Sequence, residues 1–387
     1  MNNQIKLSHL LPVLFGFFIM GFADIVSLST SYVKADFTLN DKLANLLPLM
    51  VFLWFAVFSL PTGMLMGRIG RRKTVLLSAL ITITAMIIPL VEYSFPFVLL
   101  AFALLGIGNT ILQVSLNPLV TNVVPDNRIT GMLTFGQFIK AISSFLGPVI
   151  IGLAASAFGN WKLIFPVYAG ATLLSFVWLL SVHINEQDEP NEQKEAGGKS
   201  EEKIFALLKN KTIQICFIII VLVVGFEICL MTATPKYLLE RCNMPLEKGG
   251  LGCSLYFAAR TIGTFIGSIL LVRVSPRKFL LATVPAAIAA FILLMLTGSV
   301  WAIMTGIAIV GLMCANVFAV AFSVALQTDK SKTNEISALM IMGIAGGALL
   351  PPVMGVVSDA SNQLISLFIP LAALIFILVS VYYVIKD

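Results

Sequence analysis

The stretch GMLMGRIGRRKTVLL at residues 63–77 returns as GSILLVRVSPRKFLL at residues 267–281, an offset of 204 positions. Each copy is an apolar run that opens on a glycine, a basic turn, and a second apolar run. Two further matches keep the register. Gly21-Phe22-Ala23-Asp24-Ile25 answers to Gly225-Phe226-Glu227-Ile228 at 204, and Pro148 with Gly152 answers to Pro352 with Gly355 at 204 and 203. Three matches at one offset, in different apolar segments, mark a duplicated membrane architecture. The offset is close to half of the 387 residues, so the chain reads as two halves.

Composition agrees, because hydrophobic residues make up 58%, charged residues 11%, and the mean hydropathy is +0.98. A soluble domain carries far more charge. A helix needs roughly 20 apolar residues to cross the hydrocarbon core. Apolar runs between punctuating residues place spans at 10–33, 43–66, 74–92, 96–122, 131–157, 161–183, 212–238, 249–272, 277–297, 300–326, 335–357 and 362–385. The expected fold is an all-α membrane protein of twelve transmembrane helices, with one six-helix half at 1–183 and the other at 212–387. The charged segment 184–211 between them reads as a linker. Its Gly198-Lys199-Ser200 looks like the end of a phosphate-binding loop, but Gln193 stands where the earlier glycine is required and no strand precedes it. ATP binding is excluded.

Placing both termini in the cytoplasm puts 17 of the 25 Lys and Arg residues on that side and six outside. The net charge of +6 is therefore a topology signal and not a nucleic-acid footprint. Five cysteines lack any paired zinc spacing, and His9 and His183 lie near span ends, so proton transfer at mid-membrane falls to carboxylates. No metal or other cofactor is expected. The expected setting is a bacterial inner membrane with the lipid bilayer as a partner, and the chain is expected to act as a monomer.

Four ionisable residues lie inside spans: Asp24, Lys140, Glu227 and Arg260. Each sits roughly 14 Å or more from the nearer span end at about 1.5 Å per residue, too deep for a side chain to snorkel out comfortably. Such a charge needs a partner or a task. Asp24, Ser27 and Ser31 share one helical face, and Asn109, Gln113 and Asn117 stack at i, i+4 and i+8. Asn316, Ser323 and Gln327 repeat the theme in span 10, while span 7 offers Glu227 with Thr234. The amides serve either a polar ligand or helix-to-helix hydrogen bonding.

Parallel six-span repeats joined by a central loop are how the major facilitator architecture is built, with the site at mid-membrane. The turn Gly63, Gly67, Arg68, Gly70, Arg71, Arg72, Lys73 resembles that superfamily's gating motif, with Gly67 where an acidic residue is usual. The same basic cluster would also serve simple orientation. The run Gly108-Asn-Thr-Ile-Leu-Gln113-Val-Ser-Leu-Asn117-Pro118 resembles span 4 of the fucose-galactose-glucose proton symporters in the superfamily. Gly343-Ile-Ala-Gly346-Gly347-Ala-Leu-Leu-Pro351-Pro352 is similar to their span 11, and the stretch at Asp24 to the one that holds their essential aspartate.

The resemblance implies uptake of a monosaccharide or its derivative, driven by a proton gradient as the energy source, with Asp24 as the protonatable group and Gln113 and Asn117 on sugar hydroxyls. Glu227, which answers to Asp24 across the duplication, is the second proton-coupling candidate. Asn109, Gln137, Lys140, Arg260 and Asn316 complete the candidate substrate set. Lysine at 140, where the family usually has asparagine after Gln137, is a departure. Lys140 and Arg260 either pair internally with Asp24 and Glu227, or hold the carboxylate of a sialic or uronic acid. A passive facilitator, a drug/proton antiporter and a sugar sensor are the rival readings. None of these is an enzyme.

Overall fold

The computed structural model describes residues 7–39, 43, 46–184, 206–244 and 246–384. Most of the linker segment therefore lies outside the described residues. Among those described, twelve helices are long and apolar enough to cross a membrane. They are span 1 Leu7–Ile25, span 2 Leu46–Ile69, span 3 Arg71–Val91, span 4 Phe95–Val123, span 5 Ile129–Ile151 and span 6 Trp161–Ser181. The second set is span 7 Lys211–Cys242, span 8 Leu251–Leu270, span 9 Pro276–Leu296, span 10 Val300–Thr328, span 11 Lys330–Ser358 and span 12 Gln363–Tyr383. Leu100, Leu153, Leu173 and Leu293 are all about half exposed or more on these helices, as side chains facing lipid rather than water should be.

Packing repeats with the sequence. Span 3 lies against span 4 as span 9 lies against span 10; the pairs 2 with 4, 3 with 6, 1 with 4 and 1 with 6 recur as 8 with 10, 9 with 12, 7 with 10 and 7 with 12. The duplicated glycines thus sit in duplicated helix neighbourhoods.

By packing the chain falls into two units, and each takes a segment from the far half of the sequence. One comprises Met1–Ile129, Ile139–Phe205 and Asp329–Met342; the other comprises Thr130–Phe138, Ala206–Thr328 and Gly343–Asp387. Within the first unit the opening turns of span 11 pack on spans 2 and 4: Ser337 Oγ donates to the Val114 carbonyl at 2.6 Å, and a Cβ on Gly63 would stand 2.6 Å from that of Ala338. In the second unit the opening of span 5 meets span 10, where Thr130 and Ser323 share a hydrogen bond of 2.6 Å and Gln327 Nε2 donates to the Ser323 hydroxyl at 2.7 Å. Thr130 and Asn334 are themselves 204 apart, so the exchange of segments is part of the duplication.

Both basic turns close a distant helix end. Arg72 donates to the carbonyls of Leu179 and Leu180 at the end of span 6, and Arg277 donates to that of Tyr382 at the end of span 12. A cation there satisfies orphan carbonyls and meets the negative end of the helix dipole.

Candidate functional site

Span 1 is not one continuous α-helix. It runs as α-helix from Leu7 to Met20, tightens to a 3₁₀ turn over Gly21–Ile25, and resumes as α-helix over Val26–Asp36. Gly21 is the reason spans 1 and 5 touch here: a Cβ on it would lie 2.6 Å from the Lys140 carbonyl oxygen and 2.7 Å from Ser143 Cβ. A 3₁₀ turn inside a long helix often marks a functional position. Asp24 lies in this turn, exposed, and accepts a 2.5 Å hydrogen bond from Ser144 Oγ of span 5. An exposed carboxylate inside a span requires that its face meet water and not lipid. Around it Ser143 Oγ and Tyr168 Oη are buried without a partner among the described residues, and Phe22 stacks on Tyr168 with ring centroids 3.6 Å apart. The side chains of Ser27 and Ser31, the rest of the expected polar face, lie outside the described residues.

Lys140 is half-buried one helical turn before Ser144, and no carboxylate pairs with it among the described residues. Gln137, also half-buried, falls in the other packing unit.

The amides of span 4 form a ladder. Asn109 Nδ2 donates to the Met20 carbonyl at 3.0 Å, Gln113 Nε2 to Asn109 Oδ1 at 3.1 Å, and Asn117 Nδ2 to the Gln113 carbonyl at 2.7 Å. All three are at most 4% exposed. One N–H of each NH₂ group is used on the helix or on the residue just before the span 1 turn, so Gln113 and Asn117 each keep a second N–H and the carbonyl oxygen as binding capacity.

In the second unit Arg260 Nη1 stands 2.6 Å from Glu227 Oε1, with side chains 30% and 14% exposed. Two deep ionisable groups of the sequence therefore satisfy one another. Span 10 breaks between Cys314 and Val317, and Asn316 there donates to the Gly263 carbonyl at 2.9 Å. Its side chain occupies the space that a Cβ on Gly267 would claim, 2.3 Å from its Nδ2. Asn316 Oδ1 is buried with no partner among the described residues. Thr234 bonds back to the Leu230 carbonyl of its own helix.

Of the expected gating residues, Gly70 has φ 90°, which a residue with a side chain rarely adopts, and it separates spans 2 and 3. Arg71 is 6% exposed and donates to Asn334 Oδ1 at 2.7 Å and Asn122 Oδ1 at 2.8 Å. Where the sequence lacks an acidic residue at Gly67, amide oxygens from spans 4 and 11 receive this arginine. Arg68 is exposed.

Ser144 and Asn334 escaped the sequence reading, since one serine in an apolar run and one asparagine at a span start carry no pattern. The i, i+4 spacing of Ser144 from Lys140 was the available hint. A third group gathers at the span ends: Asp36 Oδ2 accepts from Tyr93 Oη at 2.6 Å and Trp161 Nε1 at 2.9 Å, with Lys162 Nζ 4.1 Å above the Tyr93 ring. Burial first, then the Asp36 hydrogen bond and charge, push the Tyr93 phenol well above its ordinary range.

The model of the Major Facilitator Superfamily matches residues 13–329. A putative glucose/galactose transporter of Helicobacter pylori strain J99 is 26% identical over 399 residues, covering 97% of this chain and 96% of that protein. The glucose/galactose transporter of Brucella abortus biovar 1 (strain 9-941) is 24% identical over 369 residues, covering 92% and 89%. Among solved structures, the major facilitator transporter FucP in the outward conformation superposes with a TM-score of 0.85 at 17% identity over 98% of this chain and 100% of that one. The proton:xylose symporter XylE bound to 6-bromo-6-deoxy-D-glucose gives 0.72 at 12% identity, over 98% and 95%. At these identities the likeness to solved structures establishes the fold.

Proposed function

The chain belongs to the Major Facilitator Superfamily, and from that premise we propose that it is a proton-coupled symporter that imports a monosaccharide or sugar derivative by alternating access. It is a multi-pass membrane transporter and not an enzyme. Relatives aligned over nearly the whole chain are named as glucose/galactose transporters, which supports a sugar as the substrate. The basic bias of the loops supports an inner-membrane setting with both termini in the cytoplasm.

One observation carries the proton coupling: Asp24 is an exposed carboxylate inside a span, held by a hydroxyl and by no cation among the described residues. A carboxylate inside a span is the kind of group to which a coupling proton is assigned, and a change in its charge shifts which conformation of the transporter is favoured. Glu227 is in a different position, since Arg260 neutralises it. The test is Asp24→Asn in proteoliposomes. Uphill accumulation of sugar driven by an imposed pH gradient is lost while counterflow exchange continues; accumulation that persists removes the assignment.

A second reading rests on Lys140. Once Asp24 is protonated, the nearby Lys140 is a cation without a counterion among the described residues, the charge that a sugar carboxylate would balance. Counterflow with a panel of neutral, amino and acidic sugars separates the two. Exchange of acidic sugars that collapses in Lys140→Gln supports the second; exchange confined to neutral sugars ends it.

A further inference from the structure

Ser144 Oγ lies between two acceptors: Asp24 Oδ2 at 2.5 Å and the Lys140 carbonyl oxygen at 3.0 Å, one turn back along its own helix. A serine hydroxyl has one hydrogen, so it donates to one of these at a time. An ionised Asp24 takes that hydrogen, since a carboxylate is the stronger acceptor, and the Lys140 carbonyl goes without. A protonated Asp24 supplies a hydrogen of its own. Its O–H then donates to Ser144 Oγ, the serine turns its hydrogen to the Lys140 carbonyl, and both short contacts are satisfied together. The side-chain bond from serine to the carbonyl four residues back is one that bends helices.

We propose that Ser144 is the positioning residue that transmits the protonation state of Asp24 to span 5, by reversing the direction of its hydrogen bond. This rests on the reading of Asp24 as the coupling carboxylate. The place is suited to it, since Gly21 brings the Lys140 carbonyl against span 1, so the oxygen released or engaged by Ser144 is one that a Cβ on Gly21 would meet at 2.6 Å. The charged and titratable groups facing Asp24 from its neighbours are few. Span 5 brings Lys140, and span 6 brings the Tyr168 hydroxyl, which lies within electrostatic reach of the carboxylate. Span 4 carries no ionisable residue and presents Asn109, and in span 2 only the terminal Arg68 is ionisable. Neither Lys140 nor Tyr168 shares a hydrogen bond with Asp24, so Ser144 is the direct contact.

The experiment needs no knowledge of the sugar. The full-length protein in proteoliposomes is titrated by infrared difference spectroscopy, with the Asp24 carboxyl band assigned by its disappearance in Asp24→Asn. Ser144→Ala removes the donor that favours the ionised form. The band therefore persists to a pH about one unit higher, a change of roughly tenfold in proton affinity. Ser144→Thr, which restores a hydroxyl, follows the wild-type titration. An unshifted titration in a folded Ser144→Ala protein overturns the proposal, as does a Ser144→Thr protein that behaves like Ser144→Ala. Should Ser144→Ala fail to fold, Ser144→Cys, whose thiol is a much weaker donor, carries the same expectation. Failure of the underlying reading looks different: Asp24→Asn then accumulates sugar as the wild type does, whatever Ser144 does.

Discussion

Spans 1 and 7 begin from nearly the same words, Gly-Phe-Ala-Asp at residue 21 and Gly-Phe-Glu at residue 225, and end as different devices. Span 1 tightens to a 3₁₀ turn at its carboxylate, while span 7 runs as unbroken α-helix from Lys211 to Cys242. Across the duplication the irregular turn changes sides. In the first half it lies in span 1 against a helical span 5; in the second it lies in span 11, as the 3₁₀ turn Gly343–Ala348, against a helical span 7. There a Cβ on Gly346 would lie 2.4 Å from the Val221 carbonyl oxygen. The charges differ in the same sense. Glu227 has a guanidinium at 2.6 Å, and Asp24 has a hydroxyl at 2.5 Å. A carboxylate beside a cation has its charge balanced, whereas one beside a hydroxyl has only the hydrogen bond. Duplication supplied two acidic positions, and among the described residues only Glu227 is paired with a cation.

The largest test of this contrast is on transport. Asp24→Asn abolishes concentrative uptake and Glu227→Gln preserves the coupling of whatever folded protein remains, both measured as accumulation ratios under a pH gradient. Equal loss in the two variants would make the spans functional equals.

Stability should show the opposite order. Glu227→Gln or Arg260→Gln each strands a deep charge, at a cost of about 3 kcal/mol, and the double variant recovers most of it because nothing is left unpaired. Thermal unfolding of the three purified proteins checks this. A double variant no better than either single one would mean that the pair is held by more than its own charges.

The two glycines provide a smaller and sharper comparison. Alanine at Gly21 would meet a backbone carbonyl at 2.6 Å, which cannot step aside, and should cost about 1 to 3 kcal/mol. Alanine at Gly225 would meet the methyl groups of Leu350 at 2.9 Å, which can rotate away, and should cost less. Reversed melting shifts would show that spans 1 and 5 part more readily than their packing implies.

The smallest effect is expected where the helices end. Beyond span 1, Asp36 holds Tyr93 and Trp161; at the end of span 7, Tyr237 and Arg241 donate to the carbonyls of Leu294 and Thr297. The Tyr93 phenol is raised in the folded protein, so its bond stabilises below the unfolded phenol value of about 10 and is lost as pH rises through the folded value. Melting temperature should therefore fall above roughly pH 10, by less in Tyr93→Phe than in the wild type.

The sequence alone determined the number of spans, the duplication and the membrane setting, while the expected ends of span 1 (33) and span 5 (157) overshot the observed Ile25 and Ile151 by eight and six residues. Those properties are local: an apolar segment of about 20 residues is set by the thickness of the bilayer, whatever it later touches. It also singled out Asp24, Lys140, Glu227 and Arg260, because a charge among apolar neighbours is conspicuous in a string of letters. Which charge answers which was decided by tertiary structure. Arg260 is 33 residues from Glu227 and Ser144 is 120 from Asp24, and no periodicity links such distances. The ladder of Asn109, Gln113 and Asn117 was legible as a stripe, yet only packing against Met20 showed where its hydrogens go. Spacing along a helix fixes which side chains share a face; the helix brought against that face fixes whether they are hydrogen-bonded, paired with a charge or left exposed.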